Sequence, residues 1–290
     1  MGVWYNKVGK SPFVLYHILK RVSIGEGKVN GERLDEMSLT KEAVMSVKAR
    51  GFLRNRGTDC FSGRVVSIGG VFSAEQLHVL ADCAQDYGNG KVIFTSRLSA
   101  EIPGIAYEKI PEAEAFLAER GLFFGGTGAK VRPVTACKGT TCVFGIIDTH
   151  ALARVIHERF YVGMKDVKLP HKFKIGVGGC PNSCMKPSLN DVGIEGCRAS
   201  SKSMCRVFVG GTWGKTQRMG TLLSGLYTEE EVPDIIEKVM LWYKENGYAK
   251  ERLGAAIDRV GKDALEKALQ GDDLLTRREE ILAAPILERP

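Results

Sequence analysis

Lys172-Phe-Lys-Ile-Gly-Val-Gly-Gly-Cys180-Pro-Asn-Ser-Cys184, taken with Thr135-Ala-Cys137-Lys-Gly-Thr-Thr-Cys142 upstream, holds the densest chemistry in the chain. The two stretches supply four cysteines as C-x4-C and C-x3-C, with 37 residues between the pairs. Four thiolates so grouped suit either zinc or an iron–sulfur cluster, because both gather soft sulfur ligands into one set. Spacing alone leaves both metals open. Gly178, Gly179 and Pro181 crowd the second pair, which lets backbone approach a metal and aim amide N–H groups at sulfur or an anion. Just before it, Lys172 and Lys174 alternate with Phe173, Ile175 and Val177. In a strand, side chains two apart share a face, so both ammonium groups point one way and the apolar trio the other. Such a pair reads either as a solvated strand face or as an anion site beside a metal loop.

The order of these motifs is more specific than any one of them. T-A-C-x4-C, then L-P-H-K-F-K, then G-C-P-N-S-C followed by D-V-G-I-E-G resembles the sulfite and nitrite reductases that couple siroheme to a 4Fe–4S cluster. The resemblance runs from about Arg64 to about Val260. One departure is visible: large members of that family usually place five residues between the first two cysteines, where this chain has four.

Composition agrees with an anion-handling enzyme. The chain has 290 residues, enough for one large domain or two modest ones, and a net charge of +7. A basic balance attracts anions in general, and no RNP-like motif, helix-turn-helix or arginine-rich run points to nucleic acid. The Met1-Gly-Val-Trp-Tyr-Asn-Lys start lacks a signal peptide's apolar core, and Asn6 stands where myristoylation wants Ser or Thr. No run of about 18 apolar residues offers a membrane span. Eight cysteines without a secretion signal imply reduced thiols, metal ligation and a cytoplasmic setting.

Residues 1–58 form an N-terminal segment, partly helical. Val14, Leu15, Ile18 and Leu19 recur at helical spacing, Gly25 to Gly31 reads as a loop, and Thr40 to Lys48 as a second helix. Arg50, Arg54 and Arg56 read as an ordinary solvated run, with a face toward an anion or a partner as the alternative. From Arg64 a β-α-β pattern begins. Arg64-Val-Val-Ser-Ile is a strand, and Ser73 with Gln76 has capping-box spacing. Leu77, Leu80, Ala81 and Ala84 make an apolar stripe, Gly88 ends the helix, and Lys91 to Thr95 is the next strand. After Pro103-Gly104, Pro111 opens a helix that stops at Gly121. Asp148 caps a helix running to about Arg159. His150 and His157 on it read as packing or surface residues, since four cysteines complete a cluster. Arg206 to Lys215 is a strand entering glycines, and Val232, Ile235, Ile236, Val239 and Tyr243 mark an amphipathic helix ended near Gly247. Two short helical patterns follow, and the tail from Gly271 reads as an arm or a frayed end. Cys60, Cys83, Cys197 and Cys205 read as ordinary thiols, with a redox-labile Cys197–Cys205 contact as the sharper alternative.

The resemblance implies an α+β fold: a ferredoxin-like half-domain over 59–127, then an α/β siroheme and 4Fe–4S domain with C-terminal helices over 128–290. It implies that Cys137, Cys142, Cys180 and Cys184 hold the cluster, with Cys184 bridging to siroheme iron. Arg64, Arg132, Lys172 and Lys174 would line the substrate side, where guanidinium forks bind oxyanions and lysines also deliver protons. Arg97, Thr135, Gly210, Gly211 and Arg218 would serve siroheme, the arginines by pairing with its carboxylates. No flavin or nicotinamide fingerprint occurs, so electrons would come from a separate ferredoxin or reductase subunit. The implied reaction is sulfite to sulfide. Nitrite to ammonia on the same site, and a non-catalytic electron-transfer or structural zinc subunit, are the alternatives. No internal repeat is visible, although large relatives carry two copies of the unit. A homodimer, or a heterodimer with a related subunit, is therefore expected.

Overall fold

Thr40 ends an extended segment and accepts from the Ala43 amide, starting α1 over Lys41–Ala49. The structure, a computed structural model, describes residues 39–290, so the expected helix near Val14 and the loop at Gly25 to Gly31 lie outside it. The chain then builds a four-stranded antiparallel sheet in the order β1-β2-β4-β3, from Phe52–Arg54, Cys60–Val65, Ala100–Ala106 and Ile93–Phe94. Two helices cover it, α2 over Ala74–Asp86 and α3 over Ile110–Ala118. Phe52, Phe61, Leu80, Cys83, Ile102, Ile105 and Leu117 form the core between sheet and helices.

Several boundaries differ from expectation. The strand expected from Arg64 to Ile68 begins at Cys60 and ends at Val65, so Arg64 stands near its close. Beyond it, Ile68 bridges only to Val71, and Gly69 turns at φ +63° to touch Thr135. β4 continues through Pro103-Gly104. The register slips between Phe61 and Gly63, and this irregularity accommodates a proline that cannot donate to the ladder. Both halves of the Ser73–Gln76 capping box are present, but α2 is rotated from its expected stripe: Leu80, Cys83 and Ala84 are buried while Leu77 is exposed. Arg50 pairs with Glu114 and Arg54 with Asp59, ordinary surface partners.

A second, five-stranded sheet follows in simple order β5-β6-β7-β8-β9. Its first three strands, Thr135–Ala136, Ile175–Gly178 and Val192–Ala199, are parallel; Lys202–Val209 and Thr221–Leu222 complete it antiparallel. Asp148 caps α4 over Thr149–Ile156 by accepting from the His150 and Ala151 amides. The expected continuation to Arg159 is not α-helical. It widens into a π turn over His157–Val162, closed by the Gly163 amide donating to the Glu158 carbonyl. Cys197 and Cys205 lie buried on the β7–β8 hairpin as free thiols, opposite Met204 and Gly196 and not opposite each other.

α5 over Val232–Asn246 is buried on nearly every face because the C-terminal helices wrap it. These are α6 (Leu253–Val260), α7 (Lys262–Gln270), α8 (Asp273–Thr276) and α9 (Arg278–Ala283). The tail from Gly271 is thus no frayed arm. Leu274 and Ile281 are buried, and Arg278 shares the buried Glu237 carboxylate with Arg159.

Candidate functional site

The N-terminal ends of β5 and β6 gather positive charge. Phe173 bridges Val131, and Phe173, Ile175 and Val177 are fully buried while Lys172 and Lys174 stay partly exposed, the expected alternation. Arg64 lies directly across β2–β4 from Glu101 and donates to it through Nε and Nη2 at 2.9 and 2.7 Å. Its Nη1 reaches the Gly126 carbonyl at 3.0 Å, which also accepts from Arg132. Arg97 reaches over from the half-domain, donating to Asn190 Oδ1 at 3.0 Å and the Pro133 carbonyl at 2.9 Å. The Nε atoms of Arg97 and Arg132 are buried without a partner.

Burial and mutual repulsion perturb the whole group. Burial, with Arg132, Arg64 and Arg252 adding repulsion, pushes Arg97 down to about 10, and burial with Arg64 does the same to Arg132. Lys174 falls to about 8 through burial and then the charges of Arg97, Arg252 and Lys172. Lys172 is lowered by burial and then by Arg252 and Arg132. His171, whose Nδ1 accepts from the Lys172 amide at 2.7 Å, falls to about 4 through burial and the same cations, so it is neutral at ordinary pH. Arg64, Arg97, Arg132, Lys172 and Lys174 therefore form one cationic group, brought together from both sheets.

Four further members carried no assigned role in the sequence reading. Asp191, wholly buried at the head of β7, accepts from the Lys174 amide at 2.9 Å and is clasped by Arg252 at 2.8 Å. Asp191 belongs to the D-V-G-I-E-G run, where a carboxylate heading an apolar strand signals a buried cation partner. Arg252 has no local signal at all. Tyr161, on the π turn, accepts from the Gly126 amide at 2.9 Å, and only its half-buried position near Arg132 and Arg64 reveals it. Glu101 is the carboxylate that neutralises Arg64.

The residues expected to serve a macrocycle are more engaged. Thr135 is buried in β5 and donates to the Ile175 carbonyl. Gly210 adopts φ +76° with its amide on the Asp191 carbonyl, and a Cβ on Gly211 would collide with the Ser188 and Asn190 backbone. These glycines underlie the 188–191 segment. Arg218 pairs with Asp258 through Nε and Nη2 at 2.9 and 2.6 Å and donates to the Gly210 carbonyl at 3.1 Å. A separate cavity of about 1000 Å³ lies beside the group, with Val66, Phe123, His157 and Tyr161 on its walls and none of Arg64, Arg97, Arg132, Lys172 or Lys174.

The cysteines occupy the opposite ends of the same strands. β5 runs into Cys137 and β6 into Cys180, and the two loops meet backbone to backbone. A Cβ on Gly179 would lie 2.9 Å from Gly139 Cα, and the Gly179 amide donates to Cys137 Sγ at 3.2 Å. Ser183 and Lys186 sit at φ +53° and +46°, the local strain of a loop bent around Cys184. All four thiols are free and at least partly accessible, and Cys184 is exposed. Among the described residues no three such side chains close on a single ion. A four-iron cluster gives each thiolate its own metal atom, so two abutting loops with the Gly179 N–H on Cys137 Sγ fit a cluster better than one zinc ion.

Known proteins of similar sequence and fold point to one family. Residues 127–274 match the family model described as the nitrite and sulphite reductase 4Fe–4S domain, and 54–120 the nitrite/sulfite reductase ferredoxin-like half domain. The chain belongs to this family. It is 37% identical over 131 residues to a coenzyme F420-dependent sulfite reductase of Methanocaldococcus jannaschii, covering 45% of this chain and 20% of that protein. It is 28% identical over 215 residues to an NAD(P)H nitrite reductase of Bacillus subtilis, covering 73% of this chain and 25% of that one. Its fold resembles the Mycobacterium tuberculosis NirA protein with a TM-score of 0.72 at 21% identity, covering 87% of this chain but 49% of the other. The chain thus spans half or less of each of these proteins.

Proposed function

We propose that the chain is the siroheme- and 4Fe–4S-binding unit of a sulfite reductase that makes sulfide, with electrons from a separate ferredoxin or reductase subunit. The observation carrying this reading is a cationic group with unpaired donors at one end of β5 and β6, and four cysteines at the other. Cys137, Cys142, Cys180 and Cys184 hold the cluster, and siroheme, when bound, supplies the iron and the multi-electron chemistry. Arg64 and Arg132 present N–H groups to the oxyanion, and their preorganised charge is the protein's main contribution. Lys174, held at about 8, is charged at neutral pH and loses its proton readily. It is thus suited to supply protons as each oxygen leaves as water, with Lys172 beside it. Arg97, bonded to Asn190, ties the half-domain to the site, and its unpaired Nε would be available to a cofactor carboxylate. Thr135, Gly210, Gly211 and Arg218 would help to hold the cofactor, Gly210 and Gly211 by supporting the 188–191 segment. In this reading 59–127 and 128–290 act as the two domains.

Nitrite reduction to ammonia on the same site is the second reading, favoured by the likeness to nitrite reductases across most of the chain. No helix among the described residues is long and apolar enough to cross a membrane, which accords with a cytoplasmic setting. The visible spectrum of anaerobically purified protein, recorded before and after sulfite, tests the proposal. Siroheme bands that move with sulfite are expected. A colourless zinc protein overturns the proposal, and a cluster spectrum without siroheme points to an electron carrier. Comparative turnover of sulfite and nitrite then separates the two substrates.

A further inference from the structure

We propose that Arg252 is an additional oxyanion-binding residue of this site, held in place by Asp191. The inference rests on the reductase reading for the anion's identity, but its geometry stands apart from any motif. Arg252 immediately precedes α6, and the Ala256 amide donates to its carbonyl at 3.0 Å, so its backbone is pinned. Its Nε and Nη2 are spent on Asp191 at 3.2 and 2.8 Å, which fixes the guanidinium plane. Its Nη1 has no partner among the described residues, leaving one amino group of a locked fork free.

That free edge belongs to the cationic group. Arg252 and the Lys174 amide meet on one carboxylate, Asp191, which sets Arg252 beside Lys174, and its charge lowers the proton affinity of Arg97, Arg132, His171, Lys172 and Lys174. Among the described residues, these six cations (Arg64, Arg97, Arg132, Lys172, Lys174 and Arg252) have two ion-paired carboxylates between them, Glu101 and Asp191. Such a surplus of positive charge attracts anions. Asp191 serves two members at once, since it also accepts from the Lys174 amide. It is a positioning residue that sets Arg252 and Lys174 in a fixed relation.

Two variants separate these roles. Arg252→Lys keeps a charge opposite Asp191 but spends its single ammonium there. Arg252→Gln removes the charge. Sulfite affinity is read from the shift of the visible bands in the loaded protein. The rise in melting temperature on adding sulfite or sulfate to protein without siroheme is the second readout. For Arg252→Lys, sulfite binding about tenfold weaker is expected, with folding and siroheme content as in wild type. Arg252→Gln is expected to lose more and to flatten the anion-dependent rise. Wild-type affinity in Arg252→Lys, or an unchanged anion-dependent rise in both variants, overturns the inference. Wild-type protein without siroheme bands would count against the reductase reading alone, and the melting readout would still decide the role of Arg252.

Discussion

Lys174 carries its charge under protest, between burial on one side and Arg97, Arg252 and Lys172 on the other. In the unfolded chain it titrates near 10.5 and in the folded protein at about 8. Below pH 8 both states are protonated, and the folded one bears the full repulsion. Between pH 8 and 10.5 the unfolded state binds more protons, so the Lys174 contribution to stability improves as pH rises. Lys174→Met should therefore stabilise the protein at pH 7 by about 2 kcal/mol, after a discount for the exposed part of the side chain. The gain should vanish above about pH 10. Thermal melting across pH measures it, and destabilisation at pH 7 would refute the assignment of repulsion. Activity should move the other way: the variant loses roughly 100-fold in turnover, and the alkaline fall of the wild-type rate near pH 8 disappears with it. A residue that costs stability and supports chemistry is the expected signature of a functional site.

At the scale of elements, the apposed loops after β5 and β6 have no slack. Gly139 and Gly179 touch through their backbones beside Cys137, so Gly179→Ala forces the loops apart. A destabilisation of about 1–3 kcal/mol is expected, together with loss of bound iron, whereas Cys83→Ser on the distant helix α2 should retain it. Iron and acid-labile sulfide assays check both, and full iron in Gly179→Ala would show that the loops need not abut. Legibility in the sequence divides along the same line. These loops could be read because their cysteines, glycines and proline are local in the chain, as was the Ser73–Gln76 capping box. Strand β4 could not, because Pro103-Gly104 imitates a turn and only the irregular pairing with β2 absorbs it. Arg252 could not either. It meets Asp191 across 61 residues of sequence, and only tertiary packing creates that contact. The π turn after α4 leaves no periodic trace, since one widened turn looks like helix.

At the scale of the molecule, β6 stands between the two halves of the chemistry. Its four residues, Ile175–Gly178, span roughly 13 Å, with Lys174 before them and Cys180 after. Cations and cysteines of one chain therefore look out from opposite ends of a sheet whose core fills the gap. They are poorly placed to face each other across one flat macrocycle. We therefore expect a unit that works in pairs. In a two-fold pair, each centre would take cations from one copy and cysteines from the other. Mixing decides it. Lys174→Met removes the proposed proton donor but leaves the cysteines, while Cys180→Ser removes a proposed cluster ligand but leaves the cations. Each variant alone should be nearly inactive. Unfolded together and reconstituted in equal amounts, half of the pairs are mixed, and each mixed pair holds one intact centre of its two. Activity should then recover to about a quarter of wild type. If cations and cysteines act within one chain, every centre in the mixture carries a lesion and no activity returns.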